Sequence, residues 1–130
     1  MRFMLDTDSV SFALRGEGRV GDRIREHRPS ELCLSAMTVA ELRFGAEKRN
    51  SKKLRGLISQ FVSAIEVVPF DEAAASEFGR VAAALARKGS PIGHFDALIA
   101  AHARHLGCTV VTGNLKDFRQ VPRLAVESWV

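Results

Sequence analysis

Apolar residues in this chain recur as short runs, each closed by turn- or cap-forming residues and followed by a segment of helical periodicity. Arg2-Phe3-Met4-Leu5 stops at Asp6-Thr7-Asp8-Ser9, and Leu32–Ser35, Ile65–Val68 and Thr109–Val111 repeat the pattern. Leu124–Val126 is a plausible fifth run. Between them lie segments that read as helices: 10–15, 19–27, a helix capped by Thr38 and running to about Arg49, 51–64, 71–88 and 93–106. In 51–64, Leu54, Leu57, Ile58, Phe61 and Val62 fall on one helical face. Gly16, Pro29, Pro69, Gly89 and Gly107 punctuate the pattern. Strands alternating with helices predict an α/β fold with a mostly parallel sheet and helices on both faces.

At 130 residues the chain is expected to form a single domain spanning 1–130. No apolar run is long enough to span a bilayer, and the N-terminus MRFMLDTDSV lacks a signal-peptide pattern, since Asp6 and Asp8 arrive too early. The expectation is a cytoplasmic protein without membrane association. Cys33 and Cys108 have neither CxxC spacing nor flanking histidines in zinc order, and read as reduced core residues.

The formal net charge is +4, and the excess lies in the first half: residues 1–60 hold twelve Lys/Arg against eight Asp/Glu, whereas 61–130 hold seven of each. Arg43, Lys48, Arg49, Lys52, Lys53 and Arg55 are opposed only by Glu47. Such a run could track a phosphate backbone, but it reads first as a solvated helix face, since basic faces are common.

In parallel α/β sheets ligands bind beyond the carboxyl ends of the strands, so the polar residues after each apolar run carry the functional reading. Asp6 stands where the first strand leaves the core, while Asp8 and Ser9 are the expected helix caps there. Glu41 completes Thr38-Val39-Ala40-Glu41, which also matches a capping box. Asp96 opens an otherwise apolar helix, where an unpaired carboxylate is costly unless a metal or a base accompanies it. Asp117 lies in a polar turn after the fourth strand, with Thr112 and Asn114. Two such carboxylates ~5 Å apart repel by roughly 3 kcal/mol at an effective dielectric near 20, so convergence calls for raised pKa values or a divalent cation. Oxygen ligands favour a hard ion such as Mg²⁺ or Mn²⁺. His102 and His105 offer only a weak zinc alternative.

Four ordered segments carry a family resemblance. They are Leu5-Asp6-Thr7-Asp8, Ser35-Ala36-Met37-Thr38-Val39-Ala40-Glu41-Leu42, Pro91 through Ala101 (PIGHFDALIAA), and Val111-Thr112-Gly113-Asn114-Leu115-Lys116-Asp117-Phe118. Together they resemble the PIN-domain ribonucleases, in particular the VapC-type toxins of toxin–antitoxin pairs, over nearly the whole chain. The resemblance implies a PIN-like three-layer α/β/α fold with a parallel sheet of about five strands in the order 3-2-1-4-5. It implies metal-dependent cleavage of RNA, with Asp6, Asp96 and Glu41 holding Mg²⁺ (or Mn²⁺) and products bearing 5′-phosphate and 3′-hydroxyl ends. It also implies a homodimer and a VapB-type antitoxin whose tail occupies the pocket. Many members have an acid where Asn114 stands, so the fourth acidic position falls to Asn114 itself or to Asp117 three residues on.

Two other classes share parts of the pattern. Asp6-Thr7-Asp8-Ser9-Val10 fits the DxDx[TV] motif of haloacid-dehalogenase-type phosphatases, but the chain is short for that fold. A receiver-like signalling domain needs a phosphorylatable Asp after the third strand, where this chain has Val67-Val68-Pro69-Phe70. A PIN-like domain that binds its partner without catalysis is a third alternative.

Overall fold

The computed structural model describes residues 2–130. Five parallel strands, β1 (Phe3–Leu5), β2 (Leu32–Ser35), β3 (Glu66–Val68), β4 (Thr109–Val111) and β5 (Val126–Glu127), form one sheet in the order β3-β2-β1-β4-β5. The helices are α1 (Thr7–Arg15), α2 (Val20–Arg25), α3 (Ala36–Lys48), α4 (Lys52–Ala64), α5 (Glu72–Lys88), α6 (His94–Leu106) and α7 (Leu115–Phe118).

Successive strand residues face opposite sides of a sheet, and here that alternation separates two cores. Met4, Cys33 and Val110 pack with Val81, Leu85, Ile99 and Phe118 beneath α5 and α6. Leu5, Leu32, Leu34 and Val111 pack with Val10, Val20, Ile58 and Trp129 beneath α1, α2 and α4. Both faces of the sheet are therefore covered, which gives the expected three-layer α/β/α arrangement. Each fully buried Leu, Ile or Phe contributes about 1.5–3 kcal/mol of transfer free energy. Cys33 and Cys108 are buried and free, with Sγ atoms 4.0 Å apart, as core thiols. Among the described residues no helix is long and apolar enough to cross a membrane.

Three boundaries differ from the sequence expectation. The first helix begins at Thr7 rather than Val10, because Asp6 is its N-cap: the carboxylate accepts from the Ser9 N–H at 2.8 Å. The third helix begins at Ala36, capped by Ser35 and not by Thr38, which is fully buried inside the helix. The last strand is shifted to Val126–Glu127, and a short helix, α7, occupies the turn that holds Asp117. The cap at Asp71 and the left-handed stops at Gly16, Gly89 and Gly107 lie where the sequence places them, and Ser51, read as the first residue of its helix, is the cap of α4.

The chain lays down β1, then β2 and β3 on one side, and afterwards crosses to β4 and β5 on the other. The strand order therefore reverses between β1 and β4, and a crevice opens at their carboxyl ends. The Asp6 N–H donates to the Val111 carbonyl at 3.0 Å, tying the two strand ends together at that point.

Candidate active site

Asp6 sits at the floor of this crevice, only 2% exposed. Burial pushes its carboxyl above the ordinary carboxylate range, and the hydroxyl of Thr112 and the groups of Ser9 oppose that rise by hydrogen bonding. Thr112 is itself buried at the end of β4, so both sides of the strand reversal hold this one carboxylate. Asp6 thus combines two roles: it caps α1, the task the sequence assigns to Asp8 and Ser9, and it anchors the acidic site. Asp8 is exposed in the first turn of α1, where its charge complements the helix dipole.

Glu41 lies within α3, too far from the Ser35 cap to take part in a capping box. Its Oε1 instead accepts from the Thr7 hydroxyl on α1. Capping therefore does not explain Glu41; a contact between two helices that flank the crevice does. Ser35 also accepts from the Met37 N–H at 3.1 Å and hydrogen-bonds His102 Nδ1 at 2.8 Å. His102 is buried on α6, and burial holds its pKa below the ordinary value, while His105 is exposed. The zinc alternative is weakened in this way: Nδ1 of His102 is spent on Ser35, and His105 is exposed.

Asp96 stands in the first turn of α6. Its pKa is pushed up to about 6, first by burial and then by the negative charges of Asp6, Glu41 and Asp8, with a hydrogen bond from Asn114 acting against the rise. These four acids come from β1–α1, α3 and α6, and the electrostatics of Asp96 places them in one field. Asn114 follows β4 and donates from Nδ2 to Asp117 at 2.9 Å. Asp117 thereby joins the site through Asn114, while Asp6, Glu41 and Asp8 act on Asp96 directly. The sequence reading missed Thr7 and understated Thr112; position next to a strand end was the available signal for both.

An excess of carboxylate oxygens, with one proton affinity raised by the others, fits a hard divalent cation. The donor set holds no thiolate or accessible imidazole, which disfavours zinc.

The PIN domain family model matches residues 3–124. The chain is 38% identical over 133 residues to the tRNA(fMet)-specific endonuclease VapC of Salmonella typhimurium, covering 99% of this chain and 98% of that protein. The chain belongs to the VapC family of PIN-domain ribonucleases. A VapC of Shigella flexneri with the same description is 39% identical over 131 residues, with 99% and 98% covered. Among solved structures, the DNA-bound VapBC of Salmonella typhimurium matches with a TM-score of 0.93 at 36% identity, covering 100% of this chain and 99% of that one. The expected strand order and three-layer architecture are those of this VapC fold, and the phosphatase and receiver alternatives fall away. VapC enzymes of this family are hydrolases acting on RNA, and PIN ribonucleases are metal-dependent as a class.

Proposed function

We propose that this chain, acting as a single domain over 1–130, is the ribonuclease toxin of a VapB–VapC-type pair and hydrolyses RNA phosphodiester bonds at the pocket of Asp6, Glu41 and Asp96. The observation that carries this reading is the PIN domain match over residues 3–124 with Asp6 at the carboxyl end of β1, where the strand order reverses; the electrostatics of Asp96, raised by burial and then by Asp6, Glu41 and Asp8, agrees with it. Acids from β1–α1, from within α3 and from the first turn of α6 have no reason to share one field for stability alone, since each close pair costs free energy.

Mg²⁺, with Mn²⁺ as a substitute, is the cofactor this donor set fits, held by Asp6 and Asp96 with Glu41 assisting. Among the described residues no three acidic, histidine or cysteine side chains form a closed cage; Mg²⁺ commonly keeps several waters and takes one or two carboxylates, with substrate phosphate oxygens. When bound, such an ion supplies an activated water for in-line attack and offsets charge on the phosphate. The protein's own groups hold the geometry. The Ser9 N–H fixes one oxygen of Asp6, Thr7 orients Glu41, and Asn114 orients Asp96 while its amide is held by Asp117. Asp117 fills the fourth acidic position at one remove, as the group that positions Asn114.

The partner would be a VapB-type antitoxin, and the assembly a homodimer of the toxin working in the cytoplasm. Two of the relatives are described as tRNA(fMet)-specific endonucleases, which makes tRNA(fMet) the first substrate to test. The protein, purified free of partner, is incubated with a tRNA(fMet) transcript and with total RNA, and the ends are mapped. Cleavage leaving 5′-phosphate and 3′-hydroxyl ends supports the reading. Ends bearing 2′,3′-cyclic phosphate would mean attack by the RNA 2′-hydroxyl and overturn it.

A further inference from the structure

Buried polar groups in a native fold are almost always hydrogen-bonded, and one left without a partner carries the full cost of its desolvation. At the carboxyl ends of the central strands the buried hydroxyls of Ser9, Ser35 and Thr112 are engaged. Ser9 donates to the Val111 carbonyl at 3.0 Å, Ser35 bonds His102 and the Met37 N–H, and Thr112 accepts from the Asn114 N–H at 2.8 Å. Thr38 departs from this pattern. It is fully buried in the first turn of α3, yet its Oγ1 has no hydrogen-bond partner among the described residues. The other orphaned buried atoms, Nε of Arg2 and of Arg23, belong to guanidinium groups that are ion-paired through another nitrogen, to Glu66 and to Glu127. Thr38 has no second polar group with which to compensate.

A threonine inside a helix ordinarily satisfies its hydroxyl on the carbonyl three or four residues back, and Thr38 does not. Helix propensity gives no reason for it either, since β-branched residues are poorer helix formers than alanine. Its surroundings do give the hydroxyl a use. Side chains three apart share a helix face and lean toward the helix N-terminus, so Thr38 and Glu41 are neighbours on α3. Thr38 also opens the buried stripe Thr38, Leu42 and Ala46, and the last two pack with Leu5 and Val10, which bracket Asp6 along the chain. The Glu41 carboxylate accepts from the Thr7 hydroxyl at Oε1, which leaves its second oxygen for another donor.

We propose that Thr38 is a positioning residue of the metal site, whose hydroxyl, orphaned in the metal-free fold, donates to the Glu41 carboxylate when a divalent cation is held by Asp6 and Asp96. The inference rests on the metal-dependent ribonuclease reading and adds to it a neutral residue from outside the acidic positions. A carboxylate facing a cation is fixed and kept ionised by donors behind it, and such partners commonly contribute strongly to metal affinity.

The test uses the full chain free of partner and reads metal binding without RNA. Tm is recorded in EDTA and across a Mg²⁺ titration, from which the affinity follows. Thr38→Val keeps the shape and removes the hydroxyl. It is expected to raise Tm in EDTA by a few degrees, because the orphaned group is gone, and to weaken Mg²⁺ binding about tenfold. Thr38→Ser keeps the hydroxyl and loses a buried methyl, so Tm should fall with and without the ion while Mg²⁺ affinity stays near that of the wild type. In a Glu41→Gln background, Thr38→Val should change Mg²⁺ affinity little, since the group it acts through is already neutral. A residue that only packs does not combine greater metal-free stability with weaker metal binding. Unchanged Mg²⁺ affinity in Thr38→Val, from a wild type that binds the ion, overturns the proposal. A lowered Tm of Thr38→Val in EDTA also overturns it, because the hydroxyl would then already serve the metal-free fold. An undiminished effect in the Glu41→Gln background does the same. A wild type that binds neither Mg²⁺ nor Mn²⁺ overturns the metal reading on which the proposal rests.

Discussion

Asn114 donates through Nδ2 to Asp117 Oδ2 at 2.9 Å, and the same side chain hydrogen-bonds Asp96. One amide therefore links a carboxylate of the acidic cluster to another that stands behind it. The side chain at 114 is neutral, and its orientation is set by Asp117.

That relation predicts graded losses. Replacing Asn114 with Ala removes the group that opposes the rise in the Asp96 pKa, and is expected to lower cleavage by about 10–100-fold, the usual effect of losing a partner that orients a metal ligand. Asp117→Ala is expected to fall in the same range, well short of Asp96→Ala. Single-turnover cleavage rates across the three variants check the order. Equal, complete loss in Asp117→Ala and Asp96→Ala would place Asp117 at the metal directly.

Asp96 also predicts a stability effect with a defined sign. Its folded pKa of about 6 lies above its ordinary value of 3.8. Between those two values the native state holds a proton that the unfolded chain releases, so stability falls as pH rises through this window. Above pH 6 the full cost is present, and below pH 3.8 it is absent. Asp96→Asn should therefore stabilise the metal-free protein at pH 7 by about 1–3 kcal/mol, with the gain vanishing near pH 4. Urea unfolding in EDTA at the two pH values measures it. Added Mg²⁺ should stabilise the wild type and not the variant.

Far from the site, Glu77 predicts the opposite dependence. Hydrogen bonds from Arg104 and Arg80 hold its pKa down at about 2, against an ordinary value of 4.5. This contribution is fully present above pH 4.5 and is lost as pH falls toward 2. Glu77→Gln is expected to cost about 1.5–3 kcal/mol at pH 7, the range for a hydrogen bond to a charged group. The cost should shrink at pH 3. Chemical denaturation at both pH values tests the sign.

The Ser35 hydroxyl serves two helices, capping α3 and bonding His102 on α6. Ser35→Ala should cost about 1–2 kcal/mol from the lost cap and buried partner, read as a lowered Tm. By contrast, Thr7→Val should leave Tm nearly unchanged while lowering cleavage, because the hydroxyl it removes orients Glu41. A matching fall in Tm and no fall in rate would show that Thr7 only packs.

The fold was largely legible because its signals are local. Strands that alternate Met4 with Leu5, and Val110 with Val111, declare two covered faces, and Gly16, Gly89 and Gly107 mark helix ends in the left-handed region. The site was harder to read, since a local motif and a distant contact compete for the same residues. Thr38 and Glu41 match a capping box, yet Ser35 starts the helix three residues earlier and frees Glu41 for Thr7. Asp8 and Ser9 are the caps the sequence offers for the first helix, yet Asp6 is the cap, and Ser9 supplies the N–H. Helix α7 is only four residues long, too short to show a periodicity.

The most direct test of the account is RNA cleavage by the antitoxin-free protein in Mg²⁺ or Mn²⁺ and in EDTA, alongside Asp6→Asn and Asp96→Asn, with folding checked by circular dichroism. The account predicts cutting that requires the metal ion and is lost in both folded variants. Cutting that persists in EDTA, or that survives in either variant, would contradict it.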